Sequence, residues 1–240
     1  MELHEAITKR KSIRKYKMEP LPKEKLHEVV AFSKTLKPLL PGIRTDMGIA
    51  DGGVGLFAVK APHYLAFYSE EKSGSSLNAG FMLQQMDLFL SSAGLGSCWL
   101  GMAKPSDKSK NGLDFVIMLA FGAPGEPLHR KNLSEFKRRS LAEISKGADP
   151  RLEGARLAPS ATNAQPWYFT AEGGKLTAYR KKLNPVKAAV YKRLNQIDLG
   201  IALCHIDVES ERLGLPFNFS PNFEEAGGDV SGYVPVGVVL

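Results

Sequence analysis

Apolar side chains recur along the chain with two different spacings, which predict a mixture of helices and strands. Spacings of three or four residues, together with helix-stop signals, predict helices at Leu3–Arg10, Lys23–Ser33, Asn78–Ala93, Leu133–Ser145, Pro150–Leu157 and Val186–Leu213. Short apolar or alternating runs predict strands at His63–Tyr68, Asp114–Phe121, Trp167–Thr170, Lys175–Tyr179 and Gly232–Leu240. The segment Lys37–Gly55 contains many Pro and Gly residues and is predicted to be a loop.

The order of predicted elements occurs twice, and two short sequences recur with it. Gln85-Met-Asp-Leu88 returns as Gln196-Ile-Asp-Leu199, each time inside the long helix of its half. Lys11-Ser12 near the start returns as Arg139-Ser140. No change in composition marks an independent linker between the halves. We therefore predict a duplicated chain with halves at residues 1–132 and 133–240, packed as one unit.

Composition and charge narrow the possible functions. The chain has 240 residues, 43% hydrophobic and 24% charged, which is an ordinary globular mixture and argues against disorder. A net charge of +7 favours anionic ligands such as phosphates or nucleotides. Nucleic acid is disfavoured as a partner because few aromatic residues are interleaved with the basic runs. The five histidines show no metal-ligand spacing, and no glycine-rich dinucleotide or P-loop motif is present.

Targeting signals and membrane segments are not evident in the sequence. The first 17 residues are polar and basic, without the apolar core of a signal peptide. No run approaches the roughly 20 apolar residues of a membrane span. The two cysteines, Cys98 and Cys204, are too few for a disulfide framework and are expected to be buried and reduced. These features predict a cytoplasmic protein without a membrane partner.

The segment Ala155–Phe169 combines small polar residues with prolines and a run of aromatic residues. Pro159 ends the predicted helix, and Pro166 precedes the aromatic strand. Such a loop offers hydroxyl, amide and backbone groups to the polar edge of a flat heteroaromatic ligand. The alternative is an ordinary connection between a helix and a strand, with capping residues.

This loop resembles the signature loop of the nitroreductase family of flavoenzymes, in which Ala-Pro-Ser leads into Asn-x-Gln-Pro-Trp. The pattern stands here at Ala158–Ser160 and Asn163–Trp167. Arg10–Tyr16 is similar to the family's Arg-x-Ser-x-Arg segment, which holds the flavin phosphate and ribityl chain. Gly94–Gly101 resembles the family's Gly-Leu-Gly-x-x-Trp stretch beside the reactive edge of the flavin ring. Considered alone, these two stretches would be a solvated basic face and a helix cap with a short strand.

The resemblance implies an α+β, nitroreductase-like fold that binds FMN. It assigns to the cofactor residues Arg10, Lys11, Ser12, Arg14, Leu95, Gly96, Pro159, Ser160, Ala161, Thr162, Asn163 and Gln165. Arg130 or Lys131 would add a phosphate contact, with ordinary surface charge as the alternative. No residue is expected to bind a metal ion, and no side chain is expected to act as a nucleophile or base.

The chain departs from the family in the distance between two of these motifs. In ordinary members both motifs lie near the N-terminus, and two identical subunits form each flavin site. Here Ser12 and Ser160 are 148 positions apart, and Leu36–Gly42 lacks the Ala-Pro-Ser loop. The sequence therefore predicts an intramolecular pseudo-dimer with one composite FMN site per chain. It also predicts a degenerate second site around Arg139-Ser140, and a monomer or weak homo-oligomer.

The family resemblance further implies ping-pong redox chemistry. NADH or NADPH would serve as a transient electron donor, followed by a small-molecule acceptor such as a nitroaromatic compound or a quinone. Main-chain amides near Leu95–Ser97 are expected to donate to the flavin edge. Tyr168, Phe57 and Phe219 are candidates for the acceptor slot, although core packing is the simpler interpretation of each. Two alternatives remain open: a flavin-binding protein without turnover, and another flavin chemistry of the same family.

Overall fold

The described part of the chain, residues 2–52, 55, 58–223 and 230–240 of a computed structural model, forms helices and two sheets whose strands are antiparallel except for the parallel pair β6 and β7. Its α-helices are α1 Leu3–Ile7, α2 Lys23–Ser33, α3 Ser75–Ser92, α4 Leu141–Ile144, α5 Leu152–Leu157 and α6 Pro185–Leu213. Its strands are β1 Thr45–Ala50, β2 His63–Ser69, β3 Gly96–Leu100, β4 Ser109–Lys110, β5 Leu113–Gly122, β6 Ser145–Lys146, β7 Trp167–Glu172, β8 Lys175–Lys181, β9 Phe219–Pro221 and β10 Tyr233–Val239. Two 3₁₀ turns lie at Leu133–Phe136 and Ala161–Asn163.

The chain divides into two compact units, which are described separately below. The first unit contains residues 1–75 and 82–135, and the second contains residues 76–81 and 136–240. The long helix α3 contributes its residues 76–81 to the second unit and the rest to the first. Among the described residues, none of the helices combines the length and apolar character that a membrane crossing needs.

The first unit is built on an antiparallel sheet with strand order β1-β2-β5-β3, with β4 paired to β5. Strands β2 and β5 are buried along most of their length, which agrees with their continuous apolar runs. The loop predicted for Lys37–Gly55 is wrong over β1, which pairs with β2 from Thr45↔Ser69 to Ala50↔Tyr64. This edge strand includes Gly48, and most of its residues are half buried. Its sequence therefore lacks the alternation of apolar and polar residues from which a strand could be predicted.

The second unit contains a sheet with strand order β6-β7-β8-β10-β9. The predicted hairpin is confirmed as β7 and β8, joined at Gly173 and Gly174. These glycines have φ angles of 56° and 79°, the left-handed geometry that two-residue hairpin turns require. Trp167 and Phe169 alternate into the core of the unit and are fully buried. The helix predicted at Val186–Leu213 is confirmed as α6, Pro185–Leu213. Asn184 caps its start, because the Asn184 side chain accepts the Lys187 amide.

The helix predicted for Leu133–Ser145 is wrong as a continuous element. A 3₁₀ turn ends at Phe136, and Lys137 then adopts a left-handed φ of 50°, which breaks the helical path. A new helix, α4, starts after Ser140 with a capping box: Ser140 caps the helix start, and Glu143 receives the Ser140 amide and hydroxyl at 2.8 Å. The sequence therefore placed the helical segment correctly but missed its interruption.

Replacing Ser140 with alanine is expected to lower the free energy of unfolding by about 1 kcal/mol. The change removes the hydroxyl of the capping box, which bonds the Glu143 carboxylate at the start of α4. Urea unfolding monitored by circular dichroism measures the effect. Ser106→Ala, at an exposed loop position, is the matched control and should be neutral. Equal effects of the two substitutions would contradict the capping role.

Candidate functional site

The basic segment Arg10–Tyr16 runs extended through the first unit, held by main-chain bonds on both sides. On one side the Ile13 amide donates to the Ser97 carbonyl at 2.8 Å, at the beginning of β3. On the other side the Gly125 amide donates to the Lys15 carbonyl, also at 2.8 Å. The segment therefore behaves as a short added strand, and its alternate side chains point to different sides.

A carboxylate holds the exposed end of this basic segment. Glu126 accepts the amide of Arg14 at 2.8 Å and that of Lys15 at 3.3 Å. These two amide bonds, with the Arg14 amide as the larger cause, lower the pKa of Glu126. Because Glu126 accepts the main-chain amide of Arg14, it fixes the backbone from which the exposed Arg14 side chain extends.

Arg10 lies behind the segment in a fully buried ion pair. Its Nε is 2.9 Å from Asp87 Oδ2, a close contact without the alignment of a directed hydrogen bond. The Arg10 side chain is 2% exposed and that of Asp87 is 0% exposed. Asp87 also accepts the Ser97 hydroxyl, and Arg10 Nη2 donates to Ser12 Oγ at 3.4 Å. The guanidinium of Arg10 therefore supports Ser12 from within the protein.

Arg130 adds a second guanidinium to this cluster. Its Nη1 donates to the main-chain carbonyl of Arg10, and its own amide donates to the Lys9 carbonyl at 2.9 Å. Burial, followed by the nearby Arg10 charge, lowers the pKa of Arg130 to about 10. Lys131, by contrast, is exposed, and its amide bonds the Glu135 carboxylate at 3.1 Å.

The Gly94–Gly101 stretch has a more structural role than the sequence suggested. The Leu95 amide donates to the Leu90 carbonyl at 2.8 Å, which closes the end of α3 and commits this donor. A Cβ on Gly96 would lie 2.8 Å from the Ile13 side chain, so glycine here admits the basic segment. The Leu95 amide is therefore engaged within the fold, while the assignment of Leu95, Gly96 and the neighbouring main-chain amides to the flavin stays a prediction.

The loop that carries the Ala-Pro-Ser motif lies in the second unit and has a strained backbone. Thr162, Asn163 and Gln165 adopt φ angles of 52°, 59° and 49°. Left-handed geometry of this kind costs about 1–3 kcal/mol for each non-glycine residue. It persists only where surrounding bonds enforce it, and such bonds are present on both sides of the loop.

Side chains of the motif bind the loop to itself and to the preceding segment. Ser160 Oγ accepts the Gln165 amide at 2.9 Å, and Gln165 Oε1 accepts the Arg139 amide at 2.8 Å. Asn163 Oδ1 accepts a bond from the Arg138 guanidinium. The motif residues therefore first build the loop, while Thr162 and Asn163 remain exposed at its tip.

A buried carboxylate from α6 reaches the beginning of this loop. Asp198 Oδ1 accepts the Ala161 amide at 3.0 Å, and the residue is 3% exposed. Burial raises the pKa of Asp198 to about 7, and the bond from Ala161 opposes the rise. Asp87 and Asp198 were not selected from the sequence as site residues. Their occurrence in the two repeated Gln-x-Asp-Leu motifs, inside otherwise apolar helices, was the available signal.

The predicted site residues thus form two groups, each inside one unit. In the first unit Arg10, Ser12 and Arg130 are in contact, with Lys11 and Arg14 on the same extended segment. In the second unit the residues from Pro159 to Gln165 form one loop. Of the acceptor-slot candidates, Tyr168 packs against Tyr233 at 5.4 Å, whereas Phe57 lies outside the described residues. Phe219 would contact any Cβ placed on Gly237, which indicates packing against β10.

The two segments predicted to form a degenerate second site, Arg139-Ser140 and Leu36–Gly42, make contacts that stabilise the fold. Ser140 begins α4, as described above. In the first unit, the amide and carbonyl of Lys37 bond the Gln85 side chain at 3.0 and 2.8 Å. Both segments thus have a structural role, and the degenerate second site stays a prediction.

Comparison with known proteins adds independent information. A protein-family model described as "Putative TM nitroreductase" matches residues 2–210. Among solved structures, the chain is similar to a "putative nitroreductase" from Thermotoga maritima MSB8. That match has a TM-score of 0.69 and 22% identity, and covers 100% of this chain and 93% of the other. At this identity the likeness concerns the fold.

Two further solved structures match a smaller part of the chain. A nitroreductase family protein from Clostridium difficile 630 has a TM-score of 0.47 and 18% identity, over 60% of this chain and 95% of the other. An FMN-dependent nitroreductase from Clostridium difficile R20291 has a TM-score of 0.42 and 21% identity, over 53% of this chain and 91% of the other.

A search of curated proteins gave no match. The family model nevertheless covers most of the chain, and the full-length structural match has the same mixture of helices and sheets. The α+β, nitroreductase-like fold predicted from the sequence is therefore confirmed. The chain belongs to this nitroreductase family, and so to the oxidoreductases.

Proposed function

We propose that this protein is an FMN-dependent oxidoreductase that binds one FMN per chain and takes electrons from NADH or NADPH. Its acceptors would be small molecules of the nitroaromatic or quinone type. Membership of the nitroreductase family supports the general oxidoreductase role. The observation that carries the cofactor assignment is the cluster of positive charge around Ser12 in the first unit, from the buried Arg10, the half-buried Arg130 and the neighbouring Lys11 and Arg14.

The positive charges around Ser12 favour a bound dianion. The buried Arg10 and the half-buried Arg130 lie close together, with Asp87 buried beside them and Glu135 as a second carboxylate that acts on Arg130. Burial and the Arg10 charge already lower the pKa of Arg130, so a phosphate here would stabilise both cations. Lys11, Ser12 and Arg14 follow on the rigid segment and would bind the phosphate oxygens. Arg10 would act from behind, through Ser12 and through its charge.

The loop Pro159–Gln165 supports a second role in cofactor binding. Its strained, internally bonded backbone is typical of a preorganised ligand-binding loop. Thr162 presents its hydroxyl at the exposed tip, next to the Asn163 side chain, which bonds Arg138 and the Lys137 carbonyl. That this loop and the basic segment serve the same flavin stays a sequence-based prediction, which the stoichiometry and variants below test.

Bound FMN would supply hydride acceptance and donation, which no amino-acid side chain provides. The chain's own residues would bind the phosphate, orient the ring and limit access to it. No side chain is proposed to act as a nucleophile or as an essential base. The sequence-based expectation of a single slot shared by nicotinamide and acceptor follows from family resemblance alone.

The direct experiment is to reconstitute the purified protein with FMN and quantify bound flavin by absorbance. One FMN per chain, bleached by NADH or NADPH under anaerobic conditions and restored by a quinone, is the expected result. A protein that takes up no FMN would overturn the proposal. Flavin that binds but is not reduced by either nicotinamide would favour the non-enzymatic alternative, a flavin-binding sensor or storage protein.

Replacing Ser12 and Arg14 together with alanine is expected to weaken FMN binding by about tenfold to hundredfold. The change removes a hydroxyl donor and a guanidinium that we assign to the phosphate. Riboflavin, which lacks the phosphate, should bind the variant and the unchanged protein equally. Fluorescence titration of both flavins measures the difference.

The matched control for this variant is Lys17→Ala, which removes an exposed positive charge from the end of the same segment. It should change FMN affinity by no more than about twofold at physiological salt, where the Debye length is about 8 Å. If the double variant and the control behave alike, or if riboflavin affinity falls as much as FMN affinity, the phosphate assignment is wrong.

A further inference from the structure

The two repeated Gln-x-Asp-Leu motifs place one buried aspartate in each unit, and each aspartate holds a different candidate cofactor segment. Asp87 receives the Arg10 guanidinium and the Ser97 hydroxyl in the first unit. Asp198 receives the Ala161 amide in the second unit. The repeated residue therefore has an equivalent structural task, to fix a functional segment to the long helix of its half.

Asp198 differs from Asp87 in its charge environment. Its Oδ1 accepts the Ala161 amide at 3.0 Å, and its Oδ2 is buried without a hydrogen-bond partner among the described residues. Asp198 is 3% exposed, so its carboxylate is largely removed from bulk water. Burying a carboxylate with one amide hydrogen bond and no paired cation lowers the stability of a fold. Its presence here therefore calls for an explanation in terms of what it binds.

We infer that Asp198 is a positioning residue that holds the left-handed turn of the Ser160–Gln165 loop through the Ala161 amide. Ala161 is the first residue of the 3₁₀ turn, directly before Thr162 and Asn163, whose φ angles of 52° and 59° are unfavourable. Anchoring Ala161 to α6 fixes the start of this turn, while Gln165 fixes its end. The consequence for the loop follows from geometry alone, and the consequence for FMN binding rests on the proposed function.

Charged groups on the neighbouring elements do not neutralise Asp198. The loop Ser160–Gln165 itself contributes no titratable side chain, and neither does the part of α3 at residues 76–81. The titratable groups on the elements packed against this part of α6 are Glu153 and Arg156 on α5, Tyr168 and Glu172 on β7, and Lys175, Tyr179, Arg180 and Lys181 on β8. Arg156 pairs with Glu153 at 2.5 Å, and none of these groups bonds Asp198 in the part of the chain that the structure describes.

Hydrogen exchange of the full chain, measured without and with FMN, tests the inference. Asp198→Ala removes the acceptor and is expected to raise exchange of amides 161–165 by about tenfold or more, the scale of one lost hydrogen bond to a charged group. Asp198→Asn keeps an oxygen at the same place and should restore most of the protection. Ser210→Ala is the matched control, because it removes a buried hydroxyl of α6 that bonds Ile206 rather than the loop.

A second variant keeps the test decisive if Asp198→Ala folds poorly. Ala161→Pro removes the donor instead, at a first-turn position that proline tolerates, after an extended Ser160. It should loosen residues 162–165 as Asp198→Ala does, and adding Asp198→Ala to it should have no further effect on the loop. Unchanged exchange in both single variants, or full additivity in the double variant, would overturn the inference.

FMN affinity then separates this inference from the proposed function. We expect Asp198→Ala to weaken FMN binding by about tenfold and Asp198→Asn by no more than about threefold. If the loop loosens but FMN affinity is unchanged, the positioning role is supported and the assignment of this loop to the flavin is overturned.

The pH dependence of stability provides a readout that packing alone would not change. The raised pKa of Asp198 means that the folded protein binds a proton more tightly than the unfolded chain. Its favourable contribution is therefore full at low pH and is lost as pH rises from about 4 to about 7. Relative to Asp198→Asn, the unchanged protein should lose unfolding free energy over this range and level off above it. A flat difference would mean that the carboxyl group is hydrated, and would overturn the buried anchor.

Discussion

Replacing Asp87 with alanine is expected to lower the free energy of unfolding by about 3–5 kcal/mol. The substitution leaves the Arg10 guanidinium, which is 2% exposed, without its carboxylate. It also leaves Arg130 close by and removes the acceptor of the Ser97 hydroxyl. A buried cation that cannot be hydrated or paired is among the most costly defects in a protein interior. Urea unfolding monitored by circular dichroism, with and without FMN, measures the loss.

Two comparison variants test whether charge pairing is the cause. Asp114→Ala removes an exposed carboxylate from β5 of the same unit and should change stability by less than about 0.5 kcal/mol. Changing Asp87 to leucine together with Arg10 to methionine removes both charges and should recover much of the lost stability. If this double variant is as unstable as Asp87→Ala, lost packing rather than an unpaired charge would explain the effect.

Replacing Gly200 with alanine is expected to lower the free energy of unfolding by about 3 kcal/mol, the upper end of the usual cost of overpacking. A Cβ at Gly200 would lie 2.0 Å from the carbonyl oxygen of Leu77, in the residues of α3 that belong to the second unit. A Cβ at Gly80 would meet the Ile197 carbonyl at the same distance. Main-chain oxygens cannot rotate away as side chains can, so the helices must separate. The loss exceeds the gain of at most about 1 kcal/mol from better helix propensity.

Gly154→Ala in α5 is the matched control for this prediction. Its Cβ would lie 2.6 Å from Cγ of the Glu209 side chain and 3.3 Å from the main-chain oxygen of His205. We expect Gly154→Ala to cost at least about 1 kcal/mol less than Gly200→Ala, because its closest contact is a side chain that can rotate and its main-chain contact is longer, at 3.3 Å rather than 2.0 Å. Thermal and urea unfolding of the two variants should therefore differ clearly. Equal costs would mean that the close approach of Gly200 to Leu77 is not a tight contact.

Elements with a strong apolar period were predictable, whereas those made by pairing were not. The buried strands β2 and β5 and the long helices α3 and α6 carry their signal within their own sequence. Strand β1 does not, because its half-exposed residues become a strand by bonding to β2. The break between the 3₁₀ turn at Leu133–Phe136 and α4 was also not evident, because the intervening Lys137, Arg138 and Arg139 are good helix formers. The left-handed φ of Lys137, which interrupts the helix, is seen only in the folded chain.

The candidate site shows the same division between local and tertiary information. The spacing of Ala158–Ser160 and Asn163–Trp167 was sufficient to indicate the nitroreductase family, because a motif is a property of consecutive residues. Arg10 could not be distinguished from its basic neighbours until its guanidinium was found on Asp87, which is 77 positions away in sequence. Arg14, four residues later, is exposed.

The family, the main helices and buried strands, and the positions of the two candidate cofactor segments could all be predicted from consecutive residues. The folded structure was needed to find the ion pair of Arg10, the bond of the Leu95 amide that closes a helix, and the bond from the Ala-Pro-Ser loop to Asp198. Burial and pairing could not be predicted because they depend on residues distant in the chain. Periodicity and motifs record which side chains are available, and the packed fold determines which of them water, another residue or a ligand can reach.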